Sequence, residues 1–391
     1  MASYEANWYI DISDEEQLIL QTAKEFGEAE IAPRVAEIDA SNEYPWDLAK
    51  RMGELGFFHL MLPEKMGGGG QGPVIKWLIE EEWAKISPAM AFALAPAMGQ
   101  AFYLVALAPK LVDKYLDQAL VGAAPFVFTG TDPVGSFNHT EAPVFATADG
   151  DDWILNGTRL FGTYAGIAKI HFPSGICDDG KERQWHQFYV DAETPGVKVE
   201  PFERKLGMAG TANAVVSYEN VRVPGDQVCP IPPGTEADRR GNQSGYVGAC
   251  CCAVGGAQGV LSKTIDYLKQ RTTHGVPLAS FPVIADRLAQ YAVEVEAAQC
   301  LLHNLLKGFQ TGYGGKPHTS IVKPYCADMF ARVSRGCMEL WGGIGVNEEV
   351  GIARYVRDAL TLLPADRPAT AHYQQVAQSV LGLDLKYTLA D

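Results

Sequence analysis

Residues 126–224 carry six short β-rich runs: FVFTG (126–130), WILNGTRLFGTY (153–164), KIHF (169–172), HQFYVD (186–191), VKVEPF (197–202) and AVVSYENVRVP (214–224). Turn signals fall between them, among them DGDD at 149–152, DDGKE at 178–182 and ETPG at 193–196. Runs of branched and aromatic residues bounded by such turns read as successive strands. They predict an all-β domain, a sandwich or a small barrel. The texture on either side is helical. The chain therefore divides into a helical domain (1–121), a central β domain (122–235) and a helical bundle (236–391).

Ser13-Asp14-Glu15-Glu16 is a capping box, with a hydroxyl at the cap and a carboxylate three places on. The helix after it is expected to bury Leu18, Ile19, Ala23 and Phe26 on one face. PEKMGGGGQG (63–72) ends the helical pattern in a loop. Ala89–Ala108 is apolar enough to suggest a membrane span, but Pro96, Gly99 and Gln100 interrupt it and predict a buried helix pair. Toward the C-terminus, Ile284, Leu288, Tyr291, Val295, Ala298 and Leu302 recur at steps of four and three, the seam of a long packed helix. A further helix is expected over Ile321–Trp341, broken by GGIG (342–345).

At 391 residues the chain exceeds one compact core. Its formal charge of −15 argues against general affinity for nucleic acid or anionic membrane. Eight cysteines show neither disulfide nor zinc spacing. Cys250, Cys251 and Cys252 are consecutive and point about 100° apart on a helix, so they read as small core residues of a reducing, cytoplasmic compartment. The acidic N-terminal MASYEANWYIDISDEEQ has neither an apolar signal core nor an Arg-rich transit pattern.

Six motifs in order carry a resemblance over essentially the whole chain: PEKMGGGG (63–70), FVFTGTDPVGS (126–136), NGTRLFGTYAG (156–166), KLGMAGTANAVVSYENVRVP (205–224), RTTHGVPLASF (271–281) and GGIGVNEEVGIARYVRDA (342–359). Together they resemble the acyl-CoA dehydrogenase family. The resemblance implies an α+β fold: an N-terminal helical domain, a central β domain and a C-terminal four-helix-bundle domain. It also implies FAD, an acyl-CoA substrate, an acceptor such as an electron-transfer flavoprotein, and a homo-oligomer or a mixed hetero-oligomer, most simply a homotetramer.

The resemblance assigns sites residue by residue. Phe126 and Thr129 match the strand beside the flavin, and Thr129 matches its hydrogen-bonding residue. Gly135 and Ser136 follow in a turn, where glycine permits close approach and serine offers a hydroxyl to cofactor or substrate. Phe161 and Thr163 match the family's Trp and Thr/Ser beside the isoalloxazine, and alternation on a strand would put both on one face. Arg271 matches a pyrophosphate ligand to a neighbouring subunit, a role suited to the guanidinium fork. His274 stands near the adenine position. Glu339, Gly342 and Gly343 match the stretch that meets pyrophosphate from another chain, although Glu339 replaces the usual Gln and would repel phosphate. On the substrate side, Tyr246 replaces an Arg, and Ala209 stands where another Arg is usual.

The family's catalytic glutamate aligns without gaps, from RDA at 357–359, onto Asp366. A carboxylate removes the α-proton while the β-hydrogen leaves as hydride. Aspartate is one methylene shorter, and proton transfer is strict about geometry. Arg367 replaces the usual Gly, and Pro368 replaces a Thr that touches flavin. A second family position for the base falls at Gly245, which has no side chain. Asp366 is expected to be the base; the alternatives are a solvent-facing aspartate paired with Arg367, or a base elsewhere. These changes imply dehydrogenation of a non-standard acyl group: cyclic, branched or functionalised. Other readings of the same fold are an Asp-base oxidase, a non-oxidative elimination on a CoA thioester, and a non-catalytic subunit of a mixed oligomer.

Overall fold

The computed structural model describes residues 10–107, 109–122, 126–129, 131, 144–178, 183–230, 236–312 and 318–383. Helix α1 (Asp14–Phe26) begins at the expected box: Ser13 Oγ accepts the Glu16 N–H, and Glu16 Oε2 accepts the Ser13 N–H at 2.8 Å. It buries Leu20, Ala23 and Phe26, whereas Leu18 is 70% exposed. The expected face is corrected by angle: Leu18 is five residues from Ala23, about 140° around the helix, while steps of three stay on one side.

The helices α2 (Val35–Ser41), α3 (Trp46–Glu54), α4 (Pro73–Ile86), α5 (Pro88–Leu94), α6 (Gln100–Leu107) and α7 (Val112–Leu120) complete the first region. α5 and α6 are the predicted pair, joined by a 3-10 turn over Ala95–Gly99. Ala89 to Ala95 is almost wholly buried within the protein.

Among the described residues nine strands follow: β1 (Phe126–Thr129), β2 (Val144–Asp149), β3 (Asp152–Gly162), β4 (Ile170–Asp178), β5 (Arg183–Phe188), β6 (Val190–Asp191), β7 (Val197–Pro201), β8 (Ala214–Val223) and β9 (Val228–Pro230). They form one hydrogen-bonded path, β7-β8-β3-β2-β4-β5-β9, with β1 and β6 also on β4. β4 is long enough to serve two sets of neighbours. Residues 170–173 pair with β1 in parallel, and residues 174–178 pair with β5 antiparallel. β2 was missed because VFATAD alternates apolar and polar over only six residues and ends in acid.

The last region comprises α8 (Glu236–Gln270), a small hairpin β10 (Thr272–Thr273) and β11 (Val276–Pro277), then α9 (Pro282–Gln310), α10 (His318–Leu340), α11 (Ile352–Leu362) and α12 (Ala369–Leu381). The α9 seam is buried at Val295, Ala298 and Leu302 and only half-buried at Ile284, Leu288 and Tyr291.

α8 lies backbone-on-backbone against α4. A Cβ on Gly255 would sit 2.1 Å from the Glu81 carbonyl oxygen, and one on Gly259 would sit 1.9 Å from that of Lys85. The approach lets buried polar groups meet. Glu81 is fully buried and accepts from Gln299 Nε2 at 3.2 Å, with His303 Nε2 at 2.9 Å. Burial works to raise this carboxyl, but His303, Lys85 and Gln258 together outweigh it and hold Glu81 below its ordinary range. Cys250, Cys251 and Cys252 are all buried beside this contact.

The loop after β7 is fixed to α11. Met208 N–H donates to Asp358 Oδ1 at 2.7 Å, and Gly207 abuts the Arg357 carbonyl so closely that a Cβ would lie 2.5 Å from it. Two of the sequence motifs singled out above, KLGMAG and RDA, thus meet as a structural joint.

Gly255→Ala should force α4 and α8 apart and cost about 1–3 kcal/mol of stability by overpacking. Denaturant unfolding measures it; an unchanged midpoint would show that this backbone contact is not a constraint.

Candidate active site

Two motifs separated in sequence meet beside β3. The Thr131 carbonyl accepts the Leu160 N–H at 3.0 Å, bringing the turn after β1 against the end of β3. There the chain bulges. Phe161 has φ +57, and its carbonyl accepts Asn213 Nδ2 at 2.7 Å. The Phe161 ring stacks on Phe202, centroids 4.9 Å apart and planes 19° apart, yet the side chain stays 53% exposed. It is a braced aromatic wall open to a ligand. The strand alternation expected to align Thr163 with Phe161 does not run through this point, because β3 ends at Gly162 and Phe161 adopts a left-handed backbone.

Phe126 requires a correction. Its ring is buried in the core, edge-on to Tyr115 and tilted on Phe172, and offers no surface to a cofactor. Its backbone N–H and carbonyl are held by the Gln100 amide at 3.1 and 2.9 Å. Thr129 ends β1, paired with Pro173. Gly135 and Ser136 lie outside the described residues.

Asp366 sits in the turn between α11 and α12, followed by Pro368 at the cap of α12. Asp366 and Arg367 both have left-handed backbones, φ +49 and +84, a costly conformation for two successive side-chain-bearing residues. The residue is half-buried, but its Oδ2 is shut off from solvent and has no hydrogen-bond partner. That excludes the solvent-facing alternative. Gly245 is the neighbour: a Cβ there would lie 3.4 Å from Asp366 Oδ1. The two family positions for a base therefore converge on one spot, and only one carries a carboxylate. Burial raises the Asp366 carboxyl above its ordinary value, with Lys323 and Lys76 partly opposing the rise.

Sequence reasoning missed Lys323. This α10 residue is 1% exposed, and its ammonium donates to the carbonyls of Leu363 and Arg367, both at 3.0 Å. It braces the strained turn from inside and supplies positive charge to Asp366. The signal was a lysine beside Pro324 within the otherwise apolar run IVKPYCA at 321–327. Glu80 and Lys76, both buried on α4, were missed as well and couple electrostatically to Asp366. Tyr246, by contrast, turns into the bundle, 9% exposed and edge-on to His372 at 5.2 Å.

The candidates for the nucleotide end are all exposed on the C-terminal region. Arg271 is exposed at the end of α8. His274 and Gly275, φ +50 and +82, form the two-residue turn of the β10–β11 hairpin. Glu339 is not a bare charge: Arg287 Nη2 holds it at 2.7 Å and Arg335 Nε at 3.6 Å. Gly342 and Gly343 have no atom within 4 Å of where a Cβ would stand, so their backbone is open to an approaching group.

Three family profiles match this chain in order: the acyl-CoA dehydrogenase N-terminal domain at residues 13–120, the middle domain at 128–221 and the C-terminal domain at 243–381. The chain belongs to the acyl-CoA dehydrogenase family. It is 27% identical to the probable acyl-CoA dehydrogenase YngJ of Bacillus subtilis, across 89% of this chain and 93% of that one. It is 26% identical to a 3-sulfinopropanoyl-CoA desulfinase of Paraburkholderia xenovorans, across 96% and 98%. Butyryl-CoA dehydrogenase from Megasphaera elsdenii superposes with a TM-score of 0.88 at 26% identity, covering 95% of this chain and 99% of that one.

The family's enzymes are FAD-dependent oxidoreductases acting on the CH–CH bond of acyl-CoA. The residues of this chain fit FAD: an exposed, braced aromatic at Phe161, open glycine backbone at Gly342–Gly343 and arginines that neutralise Glu339.

Lys323→Met should leave the Leu363 and Arg367 carbonyls without their donor, at a cost of about 1–3 kcal/mol per buried group. Hydrogen exchange should quicken at the amides of 363–367 beyond any global effect. Unchanged exchange there would remove Lys323 as the brace.

Proposed function

We propose that this protein is an FAD-dependent acyl-CoA dehydrogenase in which Asp366 is the α-proton base, acting on a cyclic, branched or functionalised acyl group. The observation that carries this reading is the buried, unpartnered Asp366 Oδ2 beside Gly245, in a turn whose backbone Lys323 holds. A general base needs a free lone pair, shielded from water and fixed in direction. The chemistry FAD supplies when bound is acceptance of the β-hydrogen with its electron pair. Phe161, braced by Phe202, would wall the flavin, and Thr129 and Thr163 match the residues that would hydrogen-bond its ring. Arg271, Gly342 and Gly343 serve the pyrophosphate of a second copy of the chain, with His274 toward its adenine. The acceptor that would take the electrons on is a protein such as an electron-transfer flavoprotein.

Asp366→Asn should keep FAD and slow anaerobic flavin reduction by a competent acyl-CoA roughly 100- to 10,000-fold. The wild-type rate should rise with pH through a value above the ordinary carboxylate range, because burial raises the Asp366 carboxyl and only its ionised form accepts a proton. The variant should lose that limb. A near-normal reduction rate in Asp366→Asn moves the base elsewhere.

A second reading, non-oxidative elimination on a CoA thioester, has one support, the desulfinase relative of nearly equal length. Product formation without flavin reduction would select it.

Self-association has its own support. Val283 and Val293 on α9 are 71% and 69% exposed, and Ile344 and Val346 beside the open glycines are 49% and 65% exposed. Apolar surface of this kind is suited to burial by a second copy. Light scattering of the FAD-loaded protein should give a dimer-based assembly, most simply a tetramer; a stable loaded monomer would overturn this.

A further inference from the structure

Beyond Asp366, one more carboxylate faces the same strip of α8. Gly245 and Gly248 are three residues apart and so share a helix face, about 5–6 Å from one another at the Cβ level. A Cβ on Gly245 would meet Asp366 Oδ1 at 3.4 Å, and a Cβ on Gly248 would meet Glu80 Oε1 at 2.9 Å and Oε2 at 3.0 Å. The two acids therefore stand against one face of α8, a helical turn apart, each packed where a glycine leaves room for its carboxylate. The strip runs inward: Gly245 is exposed and Gly248 is buried.

Glu80 is 1% exposed, and its Oε2 has no hydrogen-bond partner. Lys76, 3% exposed and one turn back on α4, holds its ammonium 3.5 Å from that oxygen. This is an ion pair, too long for a good hydrogen bond. Cys252 Sγ lies 3.6 Å from the other oxygen, Oε1. A buried carboxylate oxygen whose close partner is an ammonium 3.5 Å away is only partly compensated, so a strip meant for a plain hydrocarbon would be poorly served by it. A third acid would fare no better, since Glu80 and Asp366 already stand there and Lys323 is committed to two carbonyls. A hydroxyl suits both partners at once, because it donates to a carboxylate oxygen and accepts from an ammonium.

Resting on the acyl-CoA reading above, we propose that Glu80 and Lys76 form a subsite for a neutral hydroxyl on the acyl tail, beyond the reacting carbons. The functionalised acyl group is then a hydroxyacyl group, aliphatic or phenolic.

The test uses the FAD-loaded wild-type protein and matched CoA thioesters: hexanoyl against 6-hydroxyhexanoyl and 5-carboxypentanoyl, and 3-phenylpropanoyl against its 4-hydroxyphenyl counterpart. Equilibrium binding by calorimetry and anaerobic flavin reduction are both read. At least one hydroxylated thioester should bind about tenfold or more tightly than its unsubstituted partner, as expected for a hydrogen bond to a charged group. Glu80→Gln and Lys76→Met should each reduce that ratio toward one. Should either variant fail to fold, the wild-type panel decides alone. Equal binding within both pairs, or preference for the carboxylated thioester, overturns the subsite while leaving the dehydrogenase intact. Failure of every CoA thioester to bind overturns both.

Discussion

The close approach of α8 to α4 is the constraint on which the rest depends. Glycine at 255 and 259 removes the side chains that ordinarily separate two helices, so backbone meets backbone. Helices this close cannot slide without losing contact along their whole length, because packed interiors have no slack. The contact fixes the α4 face that carries Lys76, Glu80 and Glu81, and the start of α8 that carries Gly245 and Gly248. Asp366 reaches the same place from the other side of the bundle.

Buried charge is the second theme. Four acidic or basic side chains gather where α4, α8, α10 and the α11–α12 turn meet: Lys76, Glu80, Lys323 and Asp366. Stripping water from such groups is expensive, and opposite charges offset only part of the cost. Glu81 shows the structural solution, with glutamine and histidine partners around it. Glu80 and Asp366 show the other solution. Each keeps a buried oxygen without a geometric hydrogen bond, although the Lys76 ammonium stands 3.5 Å from that of Glu80; such an oxygen is tolerable in a protein when a ligand completes it. Left-handed backbone occurs at these places too, at Asp366–Arg367 and Phe161, as it does at turns such as Asn42 and Asn220.

Much of this was legible in sequence. The capping box at Ser13–Glu16, the helix pair after Ala89 and most strands are local events, set by hydrogen-bonding side chains, turn residues and periodicity. The order of the motifs carried the family, and the ungapped run from Arg357 carried Asp366. Local reading failed where a residue's neighbours come from afar. Leu18 looked like core and is exposed; Phe126 looked like a cofactor residue, and its ring is committed to packing on Tyr115 and Phe172.

The sequence by itself determined which backbone states are possible: where helices start and stop, where strands run, and that a carboxylate stands at 366. Only the tertiary structure decided what surrounds each group. Lys323 is 43 residues from Asp366 and Glu80 far more distant, and no periodicity links them. Their roles come from low dielectric and proximity, and both are properties of the packed chain. A lysine in a sequence is a charge; a lysine sealed against two carbonyls and a strained turn is a brace.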